Sequence, residues 1–170
     1  MLPTVTIRNE RNSDHAAIRN VVEMAFDGMP FADGDEADLV EILRSEGALS
    51  VSLVCEVEGT IVGHIAFSPA TAHETPSVWY ALGPVAVLPD LQGRGIGAAL
   101  VHAGIQIVTD RGANGVILTG DPNYYGRFGF AVSPANAPEG EPAEFFMVKV
   151  VSGAKTSGPI SFHSAFGSAD

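Results

Sequence analysis

The sequence predicts an α/β (mixed α+β) fold in which one mixed, mostly antiparallel sheet is flanked by helices. Two observations carry that expectation. Residues 51–57 and 60–68 are β-rich runs joined only by Glu58-Gly59, the connection length of a tight antiparallel hairpin. Further on, a strand pattern over 80–88 passes through a glycine-rich loop into a long helical pattern and then into the apolar run 115–119, the order of a strand-helix-strand crossover.

Each element follows from its spacing. Val5 and Ile7 alternate with Thr4, Thr6 and Arg8, the period of two of a half-buried strand, β1. Ser13 is a candidate N-cap, and Ile18, Val21, Val22 and Ala25 then line one helical face, α1. Residues 27–36 hold two glycines, one proline and four acids, so an exposed loop is expected before a second amphipathic helix, α2, carrying Leu39, Val40 and Leu43. The hairpin strands are β2 and β3; strict alternation puts Ile61, Ile65 and Phe67 on one face of β3 and Val62, His64 and Ala66 on the other. Residues 80–88 form β4, and α3 runs through Leu100, Ala103, Ile107 and Val108 to a natural stop at Gly112. The nearly all-apolar run 115–119 is a strand buried on both faces, β5. An aromatic, glycine-rich turn (121–130), a Pro- and Glu-rich loop (134–143) and a last strand (144–151) follow. Beyond Ser152 the chain is small and polar, and Ile160, Phe162 and Phe166 are the residues expected to pack it down. The whole reads as one domain over 1–170, with a core of about 3–151 and a C-terminal extension, 152–170.

Composition narrows the function classes. Nine Lys and Arg against 20 Asp and Glu give a net charge of −11, the wrong sign for gripping nucleic acid or an anionic membrane surface. No run reaches the roughly 18–20 apolar residues of a membrane span, and Met1-Leu2-Pro3-Thr4 lacks the basic and apolar segments of an export signal, so a cytoplasmic protein is expected. The single cysteine, Cys55, excludes an internal disulfide and multi-cysteine zinc patterns, and its place in an apolar strand marks an inert thiol rather than a nucleophile. Asp33, Asp35 and Glu36 lack the remaining ligands of an EF-hand loop and read as a solvated acidic segment; no metal is expected.

The chemistry concentrates in residues 82–100, LGPVAVLPDLQGRGIGAAL. Glycines at 93, 95 and 97 remove side chains where a ligand must approach the main chain, and the start of the helix adds unpaired N–H donors and partial positive charge. The product is an anion cradle suited to phosphate or pyrophosphate, with Arg94 able to add a full charge. Gly93, Gly95 and Ala98 also fit the G-x-G-x-x-A spacing of a dinucleotide fingerprint, with Asp121 as a ribose ligand. Against that, Pro89-Asp90-Leu91-Gln92 separate strand from glycine, and too little chain follows Thr119 for the rest of a doubly wound sheet.

The run from Val85 to Gly97 resembles the acetyl-coenzyme A signature of the GNAT superfamily of N-acetyltransferases, Q/R-x-x-G-x-G/A, with Gln92, Gly95 and Gly97 at its fixed positions. Tyr125-Gly126-Arg127-Phe128-Gly129-Phe130 resembles the tyrosine-x-x-x-Gly-Phe ending of the same family. The resemblance implies a GNAT-like fold with a splayed parallel β4-β5 pair, and acetyl-coenzyme A as cosubstrate lying in the V between those strands. It further implies pyrophosphate on the main chain of Gln92, Gly93, Arg94, Gly95, Ile96 and Gly97, and pantetheine along Val85, Ala86 and Val87. Gly83-Pro84 suits a lapse in strand pairing there. Transfer to a primary amine would be direct, with Tyr125 protonating the leaving thiolate. Many relatives carry a basic glutamate on β4, which this chain lacks; His64 is the titrating candidate in its place, with His73 and Asp121 behind it and His15, His102 and His163 as surface or packing residues. Asn123 lies where relatives contact the cofactor through an asparagine, and Tyr124 reads as packing or substrate-side. The acceptor pocket is expected from the α1-α2 region, the 27–36 loop and the 134–143 loop. A small-molecule or peptide amine is the implied partner, and an acidic protein suits cationic ones. A homodimer is common among relatives, and the sequence leaves it open. A non-catalytic acyl-coenzyme A binding module stands as the alternative.

Overall fold

Among the described residues, the helices and strands are joined in the order β1 (Val5–Asn9), α1 (His15–Phe26), α2 (Glu36–Ser45), β2 (Val51–Val57), β3 (Thr60–Ala72), β4 (Trp79–Val87), α3 (Ile96–Asp110), β5 (Gly115–Thr119), α4 (Pro122–Tyr125), β6 (Ala131–Val132), β7 (Phe146–Val150) and β8 (Ile160–Ser161). They come from a computed structural model describing residues 4–30 and 32–167, so the opening Met1-Leu2-Pro3, the first residue of the expected core and the last three of the extension lie outside the described residues. Among the described residues, no helix is long and apolar enough to cross a membrane. The sheet runs β1-β2-β3-β4-β5-β7-β6, with β8 added to the end of β3, and among the described residues only β4-β5 is parallel.

Local chemistry sets the left half of the sheet. Glu58 and Gly59 both take positive φ, 51° and 84°, the pair of values a two-residue hairpin turn requires. Strict alternation fails at the start of β3. Cys55 pairs with Gly63 and Glu56 with Ile61, which leaves Val62 as the extra residue of a bulge. Ile61 and Val62 therefore exchange the faces that alternation assigned them: Val62 joins the core beneath α3 with Ile65 and Phe67, and Ile61 packs under α1. Strand ends differ too. β3 extends to Ala72, because its far end is paired by Trp79 and Tyr80 and by β8. The last long strand is only 146–150, since Ala143–Phe145 closes into a 3-10 turn. Ser13 does not cap α1; Asn12–Asp14 forms a 3-10 turn whose Asp14 carboxylate accepts from the Arg11 N–H at 2.6 Å.

α3 lies on one face of the sheet, over Val51, Leu53, Val62, Ile65 and Phe67. Its seat is made by glycine. A Cβ on Gly63 would lie 3.1 Å from both Ile96 and Leu100, and one on Gly104 would lie 2.2 Å from the ring of the fully buried Phe67. Gly104→Ala should therefore overpack this interface by about 1–3 kcal/mol, seen as a lowered thermal midpoint with the far-UV spectrum unchanged. On the opposite face, α1 and α2 cover β2 to β4 through Ile18, Val21, Val22 and Val40. The chain after Ser152 covers the other half: Ile160 is fully buried with Trp79, Ile117 and Phe146, and Phe162 and Phe166 pack against them. His73 fixes this tail by a 2.8 Å hydrogen bond to the Ser161 hydroxyl.

Candidate active site

The site begins where the parallel pair ends. β4 and β5 are registered only at Trp79–Gly115, Tyr80–Val116 and Ala81–Ile117, yet β4 continues to Val87 and β5 to Thr119. Beyond Ala81 the strands splay. The separation coincides with a bulge on β4: against β3, Ile65 pairs with Val85 but Phe67 pairs with Leu82, so Gly83 and Pro84 together face Ala66 alone. Gly83 has φ +137°, a value favouring glycine, and Pro84 has no N–H to give a neighbour.

A cavity of about 490 Å³ lies on one side of this split. Its wall is built by the strand-loop-helix unit. After β4 the chain makes a 3-10 turn at Pro89–Leu91, and the Gln92 side-chain amide donates to the Val87 carbonyl at 3.0 Å, tying the loop back to the strand. Gly93 and Gly95 take φ +77° and +85°, and Gly95 is the N-cap of α3. The first-turn N–H groups of this 15-residue helix have no intrahelical acceptor, so they give the cavity anion-binding character. Of the residues expected to bind cofactor, Val85, Val87, Gln92, Gly93, Gly95, Ile96 and Gly97 line this cavity. Ala86 turns under α1, while Arg94 and Asn123 are exposed and stand outside the lining. The Asn123 N–H instead satisfies the Asp121 carboxylate at 2.9 Å, so Asp121 serves as the cap of α4.

Sequence reasoning did not assign Leu91, Ala98 or three further contributors to this cavity. Tyr124, left between packing and substrate side, stands on the cofactor side: its hydroxyl lies 3.2 Å from where a Cβ on Gly97 would be. Arg127 is the only charged side chain among the described residues lining the cavity, its guanidinium 4.7 Å above the Tyr124 ring. Met29 reaches it from the loop after α1.

A second cavity of about 400 Å³ lies on the other side of the split, between the α1-α2 layer and the C-terminal tail. Phe26, Leu39 and Ile42 come from the helices and Glu141 from the 134–143 loop, the segments expected to build an acceptor pocket; Phe162, Ala165 and Phe166 of the tail were not foreseen. Its polar character is acidic. Asp33, Asp35, Glu36, Asp38 and Glu141 line it, with no Lys or Arg among the described residues of its wall.

Tyr125 and Val85 belong to both cavities. The Tyr125 ring packs against Gly120, where an added Cβ would lie 2.7 Å from Cε2, and edge-on against Tyr124 and Phe130 at centroid distances of 4.9 and 6.1 Å. Burial pushes its hydroxyl up to about 12, assisted by the neighbouring Tyr124 and Asp121, so it holds its proton at neutral pH.

His64 is elsewhere. It is fully buried opposite Val54 and Ala86, under α1, and lines neither cavity. The Ser52 hydroxyl donates to Glu10 at 2.5 Å, so at 2.8 Å it accepts from His64 Nε2–H, while Nδ1 has no partner among the described residues. Burial, opposed by Glu10 and reinforced by Arg44, drops this imidazole to about 4. A neutral histidine that must charge on unfolding contributes stability above its ordinary value of 6.5, lost as pH falls towards 4. Between pH 7 and pH 5 the loss should be about 2 kcal/mol in urea unfolding, and His64→Leu should flatten that slope. Cys55 is fully buried, with its thiol pushed up by burial.

The acetyltransferase (GNAT) family model matches residues 16–130, a span holding both the glycine cradle and the Tyr125 segment. This chain belongs to the GNAT family. Among its relatives, the uncharacterized N-acetyltransferase YhbS of Escherichia coli (strain K12) is 36% identical over 104 residues, a match spanning 61% of this chain and 62% of that protein. YjhQ of the same strain, another uncharacterized N-acetyltransferase, is 36% identical over 137 residues, 78% of this chain and 72% of its own length. A GNAT family acetyltransferase from Brucella melitensis, crystallised with acetyl-CoA, superposes with a TM-score of 0.85 at 39% identity and covers 96% of this chain and 98% of its own. Escherichia coli YhbS in complex with CoA gives a TM-score of 0.87 at 27% identity, over 98% and 94% of the two chains. The mixed sheet with one splayed parallel pair is the GNAT fold, and its topology excludes the doubly wound sheet of a dinucleotide-binding domain.

Proposed function

We propose that the protein transfers the acetyl group of acetyl-coenzyme A to a primary amine by direct attack, with Tyr125 protonating the leaving thiolate. The observation that supports this reading is the sharing of Val85 and Tyr125 by an anion-binding cavity and an acidic one. A donor held in the first and an amine held in the second would meet at the phenol.

Each part has a task suited to its chemistry. The N–H groups of the Gly93-to-Gly97 turn, the α3 N-terminus and Arg127 take the phosphates. The β4 main chain left unpaired by the splay at Val85 offers an amide to the pantetheine arm or the thioester oxygen, where developing charge is stabilised. The amine nitrogen attacks the thioester carbon, the carbon–sulfur bond breaks, and the electron pair leaves on sulfur. Tyr125, kept protonated by burial, gives its proton to that sulfur and regains one from the nitrogen.

Calorimetric titration with acetyl-coenzyme A, coenzyme A and NADH tests the donor side. Binding of both coenzyme A species without NADH is expected; binding of NADH alone would overturn the reading.

A further inference from the structure

β4 carries no carboxylate, and His64 lies outside both cavities, which leaves the acids of the acceptor wall as the groups placed to deprotonate the incoming amine among the described residues. That wall offers five acids, and they are not equivalent. Asp38 is held by Arg19 at 3.0 Å, and Glu36 accepts the Asp33 N–H at 2.9 Å; both belong to α2. Glu141 enters from the segment before β7, on the side of β5. Thr119 at the end of β5 lines the same cavity and its hydroxyl interacts with the Glu141 carboxylate, and Thr119 precedes Gly120, against which the Tyr125 ring rests. Glu141 is thus the carboxylate that the fold ties to the same strand end as the proposed acid, and Asp33 faces it from across the cavity.

We infer that Glu141 is the base of the reaction: with Asp33 it receives the acceptor as an alkylammonium ion, and it removes the proton before attack. The inference rests on the acetyl-transfer reading. An ammonium placed between two carboxylates relieves their repulsion, which selects basic alkylamines over neutral or acidic acceptors. One N–H bond breaks, its proton passes to a Glu141 oxygen, and the freed lone pair attacks the thioester carbon. The proton on Glu141 returns to solvent when the amide product leaves. Among the described residues, the titratable groups sharing the cavity wall with Glu141 are Asp33, Asp35, Glu36 and Asp38 from the α2 side and Tyr125 from α4; the tail contributes Phe162, Ala165 and Phe166, which do not titrate. Burial, with Asp33 adding to it, raises Glu141 above the ordinary carboxylate range against the pull of Thr119, which brings it closer to a working base at neutral pH.

The test compares the unaltered protein, Glu141→Gln and Asp33→Asn, with acetyl-coenzyme A and 1,4-diaminobutane as probe amine. Glu141→Gln should lower kcat at pH 7 by about 10²–10³-fold with acetyl-coenzyme A affinity unchanged. The deficit should shrink as pH rises and the amine deprotonates unaided, and it should be small at pH 7 for 2,2,2-trifluoroethylamine, a weakly basic amine. Asp33→Asn should raise KM for the diamine more than it lowers kcat. An unaltered kcat and acid limb in Glu141→Gln would overturn the inference, as would a protein that binds acetyl-coenzyme A yet leaves the diamine unacetylated. Failure of the unaltered protein to bind acetyl-coenzyme A would remove the acetyl-transfer reading itself, and the inference with it.

Discussion

Acetyl-coenzyme A binding by Gly95→Glu is expected to be weakened at least about 100-fold, the loss of more than about 2.7 kcal/mol. Two effects combine. At φ +85° a residue with a side chain sits in the left-handed region, at a cost of about 1 kcal/mol. More damaging is the carboxylate, which would stand at the N-cap of α3 and compete for the N–H groups that a phosphate needs. Among the described residues nothing lies within 4 Å of the added Cβ, so the side chain has room and the variant should remain folded. Gly95→Ala separates the two effects: it carries the backbone cost without the charge, and its affinity should fall by no more than about 10-fold.

Tyr125→Phe is expected to lower kcat by about 10²–10³-fold while leaving donor affinity and stability near those of the unaltered protein. The ring contacts with Gly120, Tyr124 and Phe130 survive the change, and only the hydroxyl is lost. A tyrosine present for packing alone would give a kcat within a few-fold of the original. Product analysis separates the possibilities further, since a thiolate left without its acid should be relieved by a thioester with a better leaving group. Gly120→Ala probes the same position from behind: its Cβ would press on Tyr125 Cε2 at 2.7 Å, so it should lower kcat with the phenol still present.

What the sequence made legible was local in the chain. Gln92, Gly95 and Gly97 act within one strand-loop-helix unit, where turn chemistry and helix capping leave their mark on successive residues. The hairpin at Glu58-Gly59 and the doubly buried β5 were readable for the same reason. The exchange of Ile61 and Val62 was not, because a bulge is decided by the partner strand and breaks the period on which face assignment depends. Tyr124 reaches the cofactor side because its hydroxyl is set against Gly97 of α3 while Phe128 packs on His102, Arg127 follows by stacking over the Tyr124 ring, and Phe162, Ala165 and Phe166 reach the acceptor wall because β8 pairs with the distant end of β3. Those contacts join segments remote in sequence, and no local pattern announces them. His64 illustrates the converse: its spacing on β3 was clear, but the α1 layer above it and its bond to Ser52 fix it as a buried neutral imidazole.

The arrangement around Tyr125 makes the joining of the two cavities the feature on which the functional reading depends. Cys55, buried beneath α3, offers no exposed thiol to carry an acetyl group between them. The decisive measurement is therefore mass spectrometry of the protein incubated with acetyl-coenzyme A and 1,4-diaminobutane, following acetylated amine, free coenzyme A and the intact chain together. Direct transfer predicts amide and free thiol in equal amounts, with no acetylated chain accumulating; thiol released without amide, or an acetylated protein that passes its group on to the amine, would contradict it.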